Sequence, residues 1–141
     1  MKKKQMILAV LLTVFASGFT QAQNFYPALK KYSDAELEQL DRTYASLMNC
    51  RDNNYIENAL ATVTMIKLDL PANDFPLIKE KIDYISTHSE SPGNRYRASL
   101  AKMVFANAAM FTEEAAGHYA TIGEFFNAVA QRAGIASAST K

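Results

Sequence analysis

The sequence predicts an all-α protein of about five helices. Apolar residues recur at spacings of three and four in five segments, and this spacing lines one face of a helix. Helix-capping residues and prolines stand at the segment boundaries, where helices begin and end. No segment alternates apolar and polar residues with the period of two that a half-buried strand requires. The pattern therefore favours packed helices over any sheet.

The first predicted hairpin joins helices over residues 33–49 and 54–69. A capping box opens the first helix, because the Ser33 hydroxyl and the Glu36 carboxylate can each accept a backbone N–H bond. Asn54 is the predicted N-cap of the second helix. The apolar stripes of this pair contain Leu37, Leu40, Tyr44 and Leu47, followed by Ile56, Leu60, Val63 and either Ile66 or Lys67.

The second predicted hairpin joins helices over residues 74–88 and 94–110. Asp74 is the predicted cap of the first of these, and Pro76 fits its first turn, where a missing N–H costs nothing. Asn94 is the predicted cap of the second helix. The stripes of this pair contain Leu77, Ile78, Ile82, Tyr84 and Ile85, followed by Tyr96, Leu100, Met103, Val104 and Met110.

A long C-terminal helix is predicted over residues 112–133. Thr112 is its predicted cap, and the acids that follow suit the positive end of the helix dipole. Gly134 is expected to end the helix as its C′ residue, and residues 135–141 are expected to form a flexible tail. The aromatic residues expected in the core are Tyr44, Tyr84, Phe125 and Phe126.

The two hairpins repeat at a period of 40 residues. Sliding the chain by this distance keeps both helices and the turn between them in register. The matches fall on helix starts and apolar stripes, which is where a repeated fold would keep them. They include Asp34 with Asp74, Leu37 with Leu77, Tyr44 with Tyr84, Asn54 with Asn94 and Leu60 with Leu100.

Paired helices at this period resemble HEAT-type repeats. The stretch Asn94-Arg95-Tyr96-Arg97-Ala98-Ser99-Leu100-Ala101 is similar to the start of the second helix in that family. The first unit departs from the family pattern, with Glu57 where the family often has Arg. The resemblance covers residues 34–110, or about two units, and implies stacked α-hairpins capped by the C-terminal helix. It also implies protein binding, and a plain helical bundle is the alternative fold.

The first 22 residues have the three parts of a secretory signal peptide. Lys2, Lys3 and Lys4 form a basic start, an apolar run follows from Met6, and Thr20-Gln21-Ala22 forms a small-residue exit. The run is too short for a membrane anchor, which needs about 20 apolar residues. We therefore expect cleavage near Ala22, a single domain over 23–134 and a periplasmic or secreted protein without a membrane span.

The composition of the expected mature chain limits its partners. Loss of the three N-terminal lysines leaves 12 basic and 14 acidic residues, a net charge of −2. This charge argues against binding to nucleic acid. The one cysteine, Cys50, is expected to be a small buried hydrophobe, with an intermolecular disulfide or a reactive thiol as the alternative. Phe25 and Tyr26 are expected to pack over the first hairpin.

No motif for catalysis or cofactor binding is recognisable in the sequence. Nucleotide-binding loops, nucleophile elbows and haem-attachment motifs are all missing, so we expect neither enzymatic activity nor a cofactor. His88 and His118 are the only histidines, and Glu90 and Glu114 lie near them in the sequence. They leave a small-molecule- or metal-binding bundle as the alternative function, although two scattered histidines are not a ligand signature.

The candidate interaction face consists of Arg95, Arg97 and Lys102 together with Glu57. The three cations lie on the second helix of the second unit, and Glu57 occupies the position in the first unit that corresponds to Arg97. Stacked units would place Arg97 beside Glu57, where the two can form an ion pair between repeats. The sequence thus predicts a non-enzymatic scaffold of the bacterial cell envelope that binds another envelope protein or a peptide.

Overall fold

The computed structural model describes the backbone of residues 33–139 and the side chains of residues 33–134. All regular structure in this part of the chain is helical, which confirms the predicted all-α class. The predicted signal peptide and the predicted packing of Phe25 and Tyr26 lie outside the described residues.

Six α-helices and one short 3-10 helix follow one another through the described residues. They are α1 (Asp34–Leu47), α2 (Asn53–Asp69), α3 (Pro76–His88), α4 (Pro92–Ala106), the 3-10 helix (Ala108–Phe111), α5 (Thr112–Ala116) and α6 (Ile122–Ser139).

The first four helices form two hairpins that lie side by side. Helix α1 packs against α2 and α3 packs against α4, while α1 also packs on α3 and α2 on α4. Corresponding helices of the two hairpins are therefore neighbours. Helix α5 packs on α2, and α6 packs on both α2 and α4. Membership of the HEAT family itself stays a prediction.

One hydrophobic core joins both hairpins and the C-terminal helices. Leu60 and Leu100, predicted to share a core, are both buried and belong to this single cluster. Helix α2 is the most buried element, because it is packed against α1, α4, α5 and α6. The largest side chains that are completely buried include Tyr44, Phe111, Phe125, Leu40, Leu60, Ile66, Ile78 and Ile82.

The caps predicted for α2 and α4 are wrong. Asp52 caps α2 by accepting a bond from the backbone N–H of Asn54, and Ser91 caps α4 in the same way from Asn94. Each helix begins earlier than predicted because an acceptor side chain precedes the asparagine by two or three residues. Asn94 is instead buried, and its Nδ2 donates to the Asn53 carbonyl at 3.1 Å, which ties the starts of α2 and α4 together.

The cap predicted for α3 is also wrong. Phe75 occupies the N-cap position with φ of 46°, and no local side chain caps the helix. The acceptor comes from α1, where the Asp41 carboxylate receives the N–H groups of Leu77 at 3.1 Å and Ile78 at 2.8 Å. Asp74 is exposed and forms no cap, because Phe75 turns the chain away before the helix begins.

The predicted long C-terminal helix is two helices separated by a loop at residues 117–121. Gly117 ends α5 in an extended conformation with ψ of 156°. The hydroxyl of Thr121 then accepts the N–H of Glu124, and the Glu124 carboxylate accepts the N–H of Ala120. Thr121 and Glu124 have capping-box spacing, so a sequence signal for this second start was present and was missed.

Helix α6 also continues beyond its predicted end. It runs through Gly134 to Ser139, so the predicted helix end at Gly134 is wrong, while the flexibility of residues 135–141 stays a prediction. Four of the residues around the glycine, at positions 130, 133, 136 and 138, are alanines. Alanine is the strongest helix former, and one glycine inside such a run costs only about 1 kcal/mol.

Two residues predicted to be buried are exposed. Cys50 is an exposed free thiol, because it lies in the turn after α1 and not within a helix. Tyr84 is 57% exposed, since it lies on the side of α3 that faces away from the core residues Ile82 and Ile85. Its ring stacks on His88 instead, with 4.3 Å between the ring centroids.

Candidate interaction surface

The four residues of the candidate interaction face all form contacts within the chain. Arg97 pairs with Glu57 at 3.1 Å between α4 and α2, and the two side chains are only 26% and 29% exposed. Lys102 pairs with Asp83 of α3 at 2.6 Å. The hydrogen bond from Lys102, and then its positive charge, lower the pKa of the Asp83 carboxyl.

Arg95 is held by the turn between α3 and α4. Its Nη1 donates to the Ser89 carbonyl at 2.5 Å. The cations of α4 therefore point in different directions along the helix: Arg95 toward the preceding turn, Arg97 toward α2 and Lys102 toward α3. They act as cross-links between elements, and the structure does not gather them into one basic patch.

The histidines of the alternative metal site lie in different surroundings. His88 ends α3, where Nδ1 lies 2.7 Å from the Thr87 hydroxyl. His118 lies in the loop between α5 and α6 and lines a small cavity of about 70 Å³ together with Asp69 and Glu114. Over residues 33–134, no group of three or more His, Cys, Asp or Glu side chains is placed to hold a metal ion.

A larger opening lies between α1 and the start of α3, and we call it the α1–α3 groove. It has a volume of about 420 Å³ and is open to solvent on one side. Its apolar residues are Leu37, Phe75, Pro76 and Leu77, and its charged residues are Asp34, Glu38, Asp41, Arg42 and Asp74. Leu77 is 41% exposed, which makes it one of the few large aliphatic side chains on the described surface.

Asp41 and Phe75 together build this groove. The buried Asp41 carboxylate holds the first turn of α3 against α1. Phe75 adopts the left-handed conformation that disfavours residues with a side chain, and its ring is buried, 4% exposed. The burial of this ring turns the chain so that Pro76 and Leu77 face outward along α1. The groove therefore depends on a strained residue that the surrounding packing holds in place.

Lys67 holds the loop that leads from α2 to the groove. The residue is 5% exposed, and its ammonium donates to the carbonyls of Pro71 at 2.9 Å and Asn73 at 2.6 Å. The Phe105 ring lies 5.8 Å from the same nitrogen. Burial lowers the pKa of the Lys67 amine, against the opposing effect of the Asp74 charge. Lys67 thus fixes the loop that leads to Phe75.

The charge of the groove is acidic. Four carboxylates line it, and the one guanidinium, that of Arg42, pairs with Glu38 at 3.1 Å. The charge of Asp41 is offset by the N–H groups at the start of α3, which form the positive end of that helix dipole. Among the described residues, Asp34 and Asp74 form no ion pair across the groove. The surface therefore combines an exposed aliphatic floor with a negatively charged rim.

A second groove lies between α3 and α4, with a volume of about 410 Å³. Its floor is apolar, and the Lys102–Asp83 pair stands on its rim beside Lys79 and Glu80. Opposite charges balance there, so this groove lacks the net negative charge of the α1–α3 groove.

Comparisons with protein-family models, curated proteins and solved structures give no significant match for this chain. None of the helices in the described residues has the length and apolar composition needed to cross a membrane. The case for a function therefore depends on the geometry of the surface.

No local sequence signal predicts the residues that shape this surface. Asp41 carries no local signal, because its partners lie 36 and 37 residues further along the chain. The left-handed conformation of Phe75 has no sequence signal either, since a positive φ is unexpected at a bulky residue. Leu77 was assigned to the apolar stripe of α3, yet the first turn of that helix projects beyond the core.

Proposed function

We propose that this protein is an exported, non-enzymatic interaction module of the bacterial cell envelope that holds a peptide segment in its α1–α3 groove. The observation that carries the proposal is the exposed Leu77 side chain on the floor of a groove whose rim is acidic. Exposed aliphatic surface bordered by charge is typical of a site that binds a partner.

The chemistry of the groove selects a segment with aliphatic and basic side chains. An aliphatic side chain removes Leu37 and Leu77 from water, at roughly 25 cal/mol for each Å² of apolar surface buried. A lysine or arginine next to this aliphatic side chain is attracted by the Asp34 and Asp74 carboxylates, and acidic segments are repelled. The groove follows α1 from Asp34 to Arg42, so it is about 12 Å long and accepts about four extended residues.

Export supports a partner in the envelope. The basic start, short apolar run and small-residue exit of residues 1–22 are typical of a secretory signal peptide. Mass spectrometry of the envelope fraction should detect a chain that begins near Gln23. An intact Met1 start in soluble cytoplasm would contradict the location.

Co-purification with matched baits tests the function. The baits are the unmodified chain, Leu77→Lys and Met103→Lys, since both residues are exposed, at 41% and 47%, and Met103 lies outside the groove on α4. We expect the unmodified chain and Met103→Lys to retain the same partner, while Leu77→Lys loses it. Cross-linking and peptide mapping should place an aliphatic and basic segment of that partner against α1. Equal retention by both variants would contradict a role for the groove.

A further inference from the structure

We propose that residues 23–32 of the chain itself, here called the N-terminal arm, occupy the α1–α3 groove when no partner is bound. This inference rests on the proposed function, because it assigns a first occupant to the same groove. The arm would then compete with a partner segment for the groove.

The arm is attached to the chain directly beside the groove. The arm ends at Tyr32, the next residue is the N-cap of α1, and Asp34 already lines the groove. Ten extended residues reach about 33 Å, whereas the groove extends about 12 Å along α1. The arm is therefore long enough to turn back and follow the whole groove. Its attachment to α1 also gives it an effective concentration in the millimolar range.

The charge of the arm complements the groove. The arm is Gln-Asn-Phe-Tyr-Pro-Ala-Leu-Lys-Lys-Tyr, and it contains two lysines and no acidic residue. Lys30 and Lys31 are the lysines nearest to α1, so a chain that turns back places them beside Asp34 and the neighbouring rim carboxylates. Four carboxylates and one guanidinium line the groove, so its net charge has the opposite sign.

The apolar residues of the arm match the floor of the groove. A chain that turns back can place Leu29 over Leu37 and the exposed Leu77, while Phe25 and Tyr26 precede it in the sequence. Pro27 disfavours helix at the residue before it, which favours the extended conformation suited to a groove. The arm thus has the same three properties as the proposed partner segment: aliphatic side chains, basic side chains and an extended conformation.

A single tryptophan reports whether the arm is docked. The chain has no tryptophan, so Tyr26→Trp in residues 23–141 gives one fluorophore on the arm. We expect its emission to be blue-shifted and protected from acrylamide relative to the same tryptophan in the free ten-residue peptide. Tyr96→Trp, at a position 55% exposed on α4, serves as the exposed reference in the folded chain. Emission equal to that of the free peptide overturns the proposal.

Charge exchange tests the pairing that the proposal requires. Asp34→Lys with Glu38→Lys should release the tryptophan, and adding Lys30→Glu with Lys31→Glu to the same chain should restore its protection. Circular dichroism checks that each variant is folded, and Leu77→Lys alone provides a second way to release the arm. Protection that depends on protein concentration would place the arm in a second copy and would also overturn the proposal.

A peptide added in trans separates this inference from the proposed function. The probe is the labelled ten-residue arm peptide, and the receptor is the chain carrying Lys30→Glu and Lys31→Glu. We expect binding at least tenfold tighter than to the unmodified chain, where the attached arm competes, and loss of binding in Leu77→Lys. If the probe binds equally to both chains, the arm proposal is wrong and the groove function stands. If it binds to neither and the tryptophan on the arm is unprotected, both are wrong.

Discussion

The carboxylate of Asp41 holds the first turn of α3 although it belongs to α1. It accepts backbone N–H bonds from Ile78 at 2.8 Å and Leu77 at 3.1 Å. At most helix starts, the side chain of the N-cap residue accepts such bonds, but Phe75 cannot. Removal of the Asp41 carboxylate would leave these donors without an acceptor next to the buried Phe75. The groove wall and the stability of the fold thus depend on the same carboxylate.

Asp41→Ala should lower the free energy of unfolding by about 2–3 kcal/mol, because two hydrogen bonds to a charged group are lost. Asp74→Ala is the matched control, since Asp74 is exposed and caps nothing, and it should change stability by less than about 0.5 kcal/mol. Urea denaturation followed by circular dichroism measures both values. An equal decrease in the free energy of unfolding of the two variants would indicate that Asp74 also caps α3.

Lys67 makes stability depend on pH in the alkaline range. Burial lowers the pKa of its amine in the folded state below the ordinary value, which is about 10.4 in the unfolded chain. Between the two values the unfolded state binds more protons, so rising pH favours the folded state. This gain in stability is complete above about pH 10.4, and it is lost as the pH falls through the lowered pKa of the folded state.

Lys67→Met removes this titration while keeping a long apolar stem. The free energy of unfolding of the unmodified chain, taken relative to Lys67→Met, should therefore rise from pH 8 to about pH 10.4. Burial raises the pKa of the Tyr44 and Tyr119 hydroxyls in both chains, so their contribution cancels in the difference. A difference that stays flat or falls with pH would show that Lys67 is not desolvated as described.

At the scale of single elements, two glycines near the C-terminus have opposite roles. A Cβ on Gly117 would overlap the Tyr119 side chain, at 2.7 Å from Cζ, and Tyr119 donates a hydrogen bond to the Glu114 carbonyl at 3.2 Å. A side chain at position 117 would therefore force the Tyr119 ring to shift and would disturb its hydrogen bond. Gly134 lies within α6, and a Cβ there would meet nothing within 4 Å.

Gly117→Ala should therefore destabilise the fold by about 1–3 kcal/mol, the cost of forcing extra atoms into a packed site. Gly134→Ala should stabilise it by up to about 1 kcal/mol, because alanine favours helix more than glycine does. Thermal unfolding of the two variants gives opposite shifts in Tm if α6 continues as described. A loss of stability in Gly134→Ala would instead favour a helix end at that glycine.

The Arg97–Glu57 pair joins corresponding positions of α4 and α2. Its atoms are 3.1 Å apart and partly buried, whereas the Arg42–Glu38 pair within α1 is largely exposed. A double-mutant cycle with alanine should give a coupling energy of about 0.5–1 kcal/mol for Arg97–Glu57, in the upper range for surface pairs. The cycle for Arg42–Glu38 should give about 0.3–0.5 kcal/mol. No coupling between Arg97 and Glu57 would contradict the contact between the hairpins.

Helical periodicity predicted the all-α class and much of the core. Leu60 and Leu100 lie on apolar stripes of long, strongly periodic helices, so their burial followed from spacing alone. Tyr84 lies on a stripe as well, yet it is exposed because α3 has the core on one side only. Periodicity identifies the apolar side of a helix, but it does not tell how wide a part of that side its neighbours cover.

The groove could not be predicted for a related reason. Its walls meet through contacts between residues about 36 positions apart, and its geometry depends on a left-handed Phe75 that no local rule favours. The Arg97–Glu57 contact was predicted because the 40-residue register carries long-range information. Asp41 has Lys81 as its counterpart at that register, so the repeat gave no indication of its role.

Leu60 and Leu100 test whether the hairpins unfold as one unit. Both side chains belong to one core cluster and are at most 5% exposed. Each change to alanine should cost about 2–5 kcal/mol, the range for emptying a buried leucine site. Met103→Ala, on the same helix as Leu100 but 47% exposed, should cost less than about 0.5 kcal/mol.

Because the core is shared, we expect each variant to keep a single urea transition with an unchanged m-value, seen alike by circular dichroism and tyrosine fluorescence. Two separate transitions in Leu100→Ala would mean that the hairpins are stable independently, and the groove between α1 and α3 would then lack a common support.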